Sequence, residues 1–286
     1  MSIVEMDPDG VTAYRRDGYT VVRSLFSVEE TTRYRDHYMA LRRADSYQGD
    51  FSEVGGKEGD PLREFPRMIH MHRWDELSLK WLLDDRLRGC LMALEGEEPY
   101  AVQTMVYFKP PKSRGQALHQ DQFYLRVRPG TCVAAWLALE RSDEENGCMQ
   151  VVPGTGHLPL LCEAEADLSA SFTDVTVDLP ETMLPEPQVM DEGDVLFFNG
   201  SVVHGSFPNT SPTRFRRALI AHYATGSARS LANFYHPVLR FDGSSLKLGT
   251  NEGGGLCGHW VDHDGSTVLD MVRSEGSEPG DRRNHS

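Results

Sequence analysis

Leu118-His119-Gln120-Asp121 and, far along the chain, Val203-His204-Gly205-Ser206 are the stretches on which the fold is read. Two imidazoles and one carboxylate on one face of a divalent iron, with the opposite face open, make the donor set of non-haem Fe(II) chemistry. In an extended strand residues i and i+2 point to the same side, so His119 and Asp121 can grip one ion while Gln120 faces away. The third ligand then has to come from elsewhere. A lone His-x-Asp is weak evidence, because a chain with 11 His and many Asp contains about one by chance. His204 strengthens it. It follows Gly193-Asp194-Val195-Leu196-Phe197-Phe198-Asn199, a turn feeding an apolar strand, and it precedes a strand that carries arginines.

Composition narrows the classes. A length of 286 residues allows one or two domains and a large core. The net charge of −14 argues against nucleic acid or an anionic membrane as partner, since both need a basic face. Cys90, Cys132, Cys148, Cys162 and Cys257 are odd in number, scattered and without a Cys-x-x-Cys pair, so they read as reduced thiols of a cytoplasmic protein. No apolar run approaches the ~18 residues needed to span a bilayer, and Met1 to Gly10 is acidic rather than a signal peptide. The partner expected is a small molecule.

Along the chain, Gly18-Tyr19-Thr20-Val21-Val22 predicts a short strand, and Ser27-Val28-Glu29-Glu30 a capping box opening a helix with Tyr34, Tyr38 and Leu41 at helical spacing. Residues Asp45 to Pro61 hold four Gly and no periodicity and read as a mobile loop. A second helix is expected over Leu77 to Leu94. From Tyr100 the pattern becomes strands: Val102 to Phe108, the His119 segment, Cys132 to Leu139 (apolar throughout and so buried on both faces), Met149 to Val152, Val195 to Phe198 and Ala218 to Tyr223. Asn146-Gly147 reads as a hairpin between the third and fourth of these, and the acidic run Glu163 to Pro187 as a solvated loop or a lid. Short strands at this spacing predict a mainly β fold of jelly-roll type, flanked by the N-terminal α-helices. The reading is one domain over residues 1–273, with its β-core at about 100–225, and a disordered polar tail over 274–286.

These pieces resemble the phytanoyl-CoA dioxygenase family of Fe(II)/2-oxoglutarate-dependent oxygenases. The resemblance rests on Asp17-Gly18-Tyr19-Thr20-Val21-Val22, His119-Gln120-Asp121-Gln122-Phe123-Tyr124, Pro129-Gly130-Thr131, Ala135-Trp136-Leu137-Ala138-Leu139, Glu145-Asn146-Gly147-Cys148-Met149, Val152-Pro153-Gly154-Thr155, His204-Gly205-Ser206 and Phe215-Arg216-Arg217-Ala218, in one order along the chain. It implies a double-stranded β-helix, with His119, Asp121 and His204 as ligands of Fe(II) and with 2-oxoglutarate and O2 as cosubstrates. It further implies that Arg216 grips the far carboxylate of 2-oxoglutarate, with Ser206 beside it and Gln103 and Trp136 bordering it. Arg214 and Arg217 compete for the arginine's role. A guanidinium suits it because it meets a carboxylate with two parallel bonds.

The expected reaction is hydroxylation of a substrate C–H with release of succinate and CO2. Ring formation, epimerisation or desaturation stay open, as does a metal-binding jelly roll without redox chemistry, which would have no need of a carboxylate clamp. The strongly negative charge favours a neutral or cationic metabolite. Substrate contacts are expected from the Asp45–Pro61 loop, from Met105 and Tyr107, and from the aromatic segment holding Phe234 and His236. Cys132 and Cys148 read as structural, Tyr124 as core or as a donor to the ligands, and His37, His70, His72, His157, His222 and His285 as surface or satisfied core histidines.

Overall fold

Local signals set the N-terminal part, and the computed structural model describes residues 6–44, 50–52 and 59–273 of the chain. Most of the expected loop and all of the expected tail lie outside the described residues. Pro8 in the first turn and Asp7, whose side chain accepts from the Asp9 amide, open α1 (Pro8–Asp17), and Gly18 closes it at φ 87°. β1 (Tyr19–Val22) follows, and Ser27 with Glu30 forms the predicted capping box of α2 (Val28–Arg43). Part of the expected loop is strand: β2 (Asp50–Ser52) pairs with β3 (Arg67–Ile69). The helix expected over Leu77–Leu94 is instead two, α3 (Glu76–Leu82) and α4 (Asp85–Glu95). Asp84 makes the break by accepting from the Arg86 amide as the N-cap of the second.

The strands come next: β4 (Tyr100–Lys109), β5 (Gln116–His119), β6 (Cys132–Ala138), β7 (Met149–Val151), β8 (Glu163–Glu165), β9 (Val175–Val177), β10 (Glu186–Gln188), β11 (Val195–Asn199), β12 (His204–Ser206) and β13 (Arg216–Ala224). One helical turn, α5 (Gln122–Leu125), separates β5 from β6. Antiparallel pairing gives a larger sheet that runs β1-β11-β6-β13-β4 from its β1 edge and a smaller sheet β10-β7-β12-β5. The two sheets close on one interior. Ala134, Trp136, Leu196, Phe198, Ala218 and Ile220 of the larger pack with Met149 and Val151 of the smaller. Alternate residues Val133, Ala135 and Leu137 of β6 face the other way, onto Trp81, Leu82, Leu87 and Leu91 of the helices. This is the mainly β, double-stranded β-helix architecture that the sequence predicts, with helices covering one sheet.

Three further expectations need correction. Asn146-Gly147 does not close a hairpin, because β6 bonds to β11 and β13 while β7 bonds to β10 and β12. The Asn146 amide donates to the carbonyls of Arg141 and Phe215, and Gly147 stands at φ 81°, so the turn carries the chain from one sheet to the other. The acidic run is not a plain loop either. β8 and β9 pair within it, and Thr176 Oγ1 donates to the Leu118 carbonyl beside the His119 segment.

Cysteine is the third. Cys90, Cys132 and Cys148 are buried free thiols, but Cys162 and Cys257 form a disulfide with Cα atoms 4.9 Å apart. Beyond β13 come β14 (Ser230–Leu231), β15 (Val238–Leu239), β16 (Ser245–Leu246), β17 (Gly249–Thr250), β18 (Leu256–His263) and β19 (Ser266–Arg273). The β18–β19 hairpin returns to the acidic run through a bridge between Leu161 and Gly258, which brings together cysteines 95 residues apart. Spacing cannot announce such a pair. The cysteine argument for a reducing compartment therefore falls. Under denaturing conditions the oxidised chain should show three titratable thiols and the reduced chain five. Cys257→Ser should lower stability in urea by about 2–4 kcal/mol, the usual range for a disulfide closing a long loop. No helix among the described residues is long and apolar enough to cross a membrane.

Candidate metal centre

His119 ends β5 and His204 begins β12, directly opposite it in the antiparallel register, so their rings lie 4.2 Å apart. Gly205 allows the two strands to approach, since a Cβ there would come 2.6 Å from the Gln116 carbonyl oxygen. Asp121 does not belong to the strand. It stands at φ −61°, ψ −31° as the chain turns into α5, and this turn rather than strand alternation brings its carboxylate round. Asp121 Oδ1 is 3.5 Å from His119 Nε2 and 3.6 Å from His204 Nε2. One ligand atom from each of the three buried residues lies within 4.8 Å of the others.

The hydrogen bonds around the triad suit a cation. His119 Nδ1 donates to the Ala117 carbonyl and His204 Nδ1 to the Val202 carbonyl, both at 2.9 Å. A carbonyl can only accept, so these bonds fix the tautomer and leave each Nε2 lone pair facing Asp121. The Gln116 amide is 3.2 Å from His119 Nε2 and would turn aside to admit an ion. Burial works to raise the Asp121 pKa, but the neighbouring His204 and His222 rings and the bond from His222 Nε2 outweigh it and hold the carboxyl well below its usual range. Burial, then His119, pushes His204 down to about 4. Two imidazole Nε2 atoms converging on an ionised carboxylate match the donor set of a divalent iron.

At the other end of this interior lies a positive pole. Arg217 is bound through two bonds by Glu140, and Arg214 pairs with Asp143 and Glu145, so both of the competing arginines are spoken for. Arg216 points inward from the next register position, 2% exposed, with its guanidinium carbon 5.4 Å from the Trp136 ring and Nε donating to the Gly147 carbonyl. No carboxylate among the described residues pairs with it. Burial lowers its pKa to about 10. Lys109, opposite Arg216 on β4, is equally buried and donates to Ser206 Oγ at 2.7 Å and to the Phe207 carbonyl at 2.5 Å. Burial and then Arg216 push this ammonium well below its usual range.

A model of the phytanoyl-CoA dioxygenase family matches residues 14–218. The chain belongs to that family. It is 28% identical to bovine peroxisomal phytanoyl-CoA dioxygenase over 226 residues, 74% of this chain and just under two thirds (66%) of the relative. To phytanoyl-CoA dioxygenase 1 of rice it is 26% identical, covering 72% of this chain and 75% of the relative. Among solved structures the fold is shared with the epimerase SnoN in complex with Fe3+, alpha ketoglutarate and nogalamycin RO (TM-score 0.65, 21% identity, 77% and 84% of the chains). The carbocyclase SnoK shares it too (TM-score 0.63, 22% identity, 80% and 89%). The phytanoyl-CoA dioxygenase family is one of Fe(II)- and 2-oxoglutarate-dependent dioxygenases, and the triad described above has the corresponding donors.

In this family member a cavity joins the triad to the positive pole, lined by Met105, Tyr107, Trp136, Met149, Phe198, Ile220 and His222 among others. Met105 and Tyr107, expected at the substrate, line this cavity from β4. Gln103 shares their face but lies opposite His222, six positions along β4 from Lys109, so it is remote from the Arg216 pole. Phe234 packs 4.9 Å from His70, and His236 follows it. A second recess on the other side of His119 is lined by Gln120, Phe123, Tyr124, Leu161 and the β8–β9 hairpin. Sequence reasoning missed two residues. Lys109, next to Pro110-Pro111, looks like a solvated strand end. His222 reads as a satisfied core histidine, yet its Nε2 lies 3.0 Å from Asp121 Oδ2, and its one signal in the sequence is a polar group in the apolar run Ala218 to Ala224.

Proposed function

We propose that this chain is a non-haem Fe(II)/2-oxoglutarate oxygenase that hydroxylates an unactivated C–H bond of a small, neutral or cationic metabolite, with release of succinate and CO2. The observation that carries the reading is a buried arginine without an anion, Arg216, in the same cavity as the His119–Asp121–His204 triad. A plain metal-binding jelly roll has no use for such a clamp, because an unpaired buried charge costs stability.

In this reading His119, Asp121 and His204 hold Fe(II), which would supply O2 activation coupled to oxidation of the 2-oxoacid. His222, bonded to the outer oxygen of Asp121, orients the carboxylate. Arg216 receives the distal carboxylate of 2-oxoglutarate, with Trp136 as a wall. Ser206 accepts from Lys109, which frees its own hydrogen for the same carboxylate, and the charge of that carboxylate would favour the ammonium form of Lys109, whose third N–H is then available. Met105, Met149, Phe198 and Ile220 keep water out. Lys109→Met should raise the 2-oxoglutarate concentration for half-saturation roughly 5- to 140-fold, as loss of a charged hydrogen bond of about 1–3 kcal/mol implies. Iron content should not change, and Arg217→Gln, outside the cavity, should leave half-saturation where it was.

Cyclisation or epimerisation is the second reading, favoured by the fold shared with SnoN and SnoK. Screening metabolite pools for substrate-dependent succinate release under 18O2 tests both. A hydroxylase puts label into the product as well as into succinate, the alternatives only into succinate, and absence of succinate release from any pool would count against the oxygenase reading.

A further inference from the structure

Buried polar atoms without a hydrogen-bond partner are rare in folded proteins, and each calls for an explanation. Here five such atoms belong to three side chains of one neighbourhood: both ring nitrogens of His70, both amide atoms of Gln103 and Nδ1 of His222. None of the three side chains is more than 2% exposed.

Their meeting follows from the register. His222 of β13 lies opposite Gln103 of β4, so both project from the face that carries Ile220 and Met105 into the interior. His70 follows β3, donating its amide to the Thr104 carbonyl at 2.8 Å, next to Gln103 in the chain. It stands at φ 56°, a left-handed conformation that is uncommon outside glycine and is often kept at ligand sites. Its ring feels the His222 imidazole and lies 4.9 Å from Phe234 and 6.1 Å from Tyr235. The row thus runs from Asp121, through His222 and Gln103, to His70 and the aromatic segment. His236, two residues beyond Phe234, adds two more ring nitrogens without partners. The positive pole is six strand positions away.

The chemistry at the His70 and Gln103 end of the row is polar and uncharged. Burial pushes His70 down to about 2 and its neighbour His72 to about 3, so both rings are neutral. A neutral imidazole offers one donor and one acceptor, and an amide offers both. The only carboxylate in the row is Asp121, which would repel an anion and, once bound to metal, would not attract a cation. What His70 and Gln103 leave unsatisfied is a set of donors and acceptors without a charge.

We propose that His70, Gln103 and His222 form the recognition wall of the substrate pocket and take an uncharged hydroxyl- or carbonyl-bearing part of the substrate, beside the metal triad and away from Arg216. This deepens the oxygenase reading and rests on its placement of the metal.

The test uses the full chain with redox-inert Zn(II) and 2-oxoglutarate, and three ring probes of similar shape, cyclohexanol, cyclohexanecarboxylate and methylcyclohexane, with binding followed by ligand-observed NMR. Cyclohexanol should bind at least ten-fold tighter than either other probe. That preference should shrink to within two-fold in Gln103→Met and in His70→Phe. Neither variant should melt lower than the wild type by more than a few degrees, because the atoms removed bond to nothing in the protein. Equal binding of the three probes, or a preference that survives both substitutions, would overturn the proposal. So would a loss of more than about 10 °C in both variants with no change in preference, which would mean that ordered water satisfies these groups as part of the fold. The visible charge-transfer band of wild-type protein with Fe(II) and 2-oxoglutarate, recorded without O2, reports on the metal reading separately. Its absence would sink that reading whatever the probes do.

Discussion

Replacing His204 with Ala should abolish substrate-dependent succinate release while leaving the far-UV circular dichroism of the chain unchanged. Loss of a partner to a ligand typically costs 10- to 100-fold in metal affinity or activity, so loss of a ligand itself should cost at least about 100-fold. The geometry explains why no neighbour can substitute. His204 Nδ1 is committed to the Val202 carbonyl, His119 sits opposite in the register, and His222 already serves the outer oxygen of Asp121. Metal analysis after loading with Fe(II) should give one iron per wild-type chain and far less for His204→Ala, His119→Ala and Asp121→Ala. Full turnover by any one of the three variants would remove the residue concerned from the metal site.

The second large effect is expected at Arg216. Truncating one partner of a buried, hydrogen-bonded charge pair costs about 2–4 kcal/mol, equivalent to a roughly 30- to 700-fold rise in the 2-oxoglutarate concentration for half-saturation. Iron binding should be nearly untouched in Arg216→Ala, because the triad neither bonds to this arginine nor takes its orientation from it. Anaerobic titration of the Fe(II)·2-oxoglutarate charge-transfer absorption measures this without substrate. Arg214→Ala and Arg217→Ala break outward ion pairs with Asp143, Glu145 and Glu140 and should leave the titration midpoint within about two-fold. An effect of Arg217→Ala that exceeds that of Arg216→Ala would place the clamp one register position along β13.

What the sequence made legible was what short-range chemistry controls. The capping box at Ser27 and Glu30, the apolar run of β6 and the His-x-Asp with a distant His are written in adjacent residues, and the strand spacing suffices for a jelly roll. Strand alternation does not place Asp121, however, because it reaches the site by leaving the strand. Features that depend on which strands become neighbours were hidden. Asn146-Gly147 has the composition of a hairpin turn, yet it crosses between sheets because Phe215, nearly seventy residues on, accepts from the Asn146 amide. The Cys162–Cys257 bond depends on the return of the C-terminal hairpin. Lys109 could not be seen as buried until β13 set Arg216 beside it. A lone polar residue in an apolar strand, as at His222, was the one overlooked signal that sequence did contain.

The placement of the metal is tested most directly by anomalous diffraction at the iron edge, on crystals of the full chain soaked anaerobically with Fe(II) and 2-oxoglutarate. One peak is predicted, about 2.0–2.2 Å from His119 Nε2, His204 Nε2 and an Asp121 oxygen, the usual metal–imidazole and metal–carboxylate range, with 2-oxoglutarate running from it to Arg216. A peak away from these three side chains, or iron at the triad with no cosubstrate density reaching Arg216, would contradict the account.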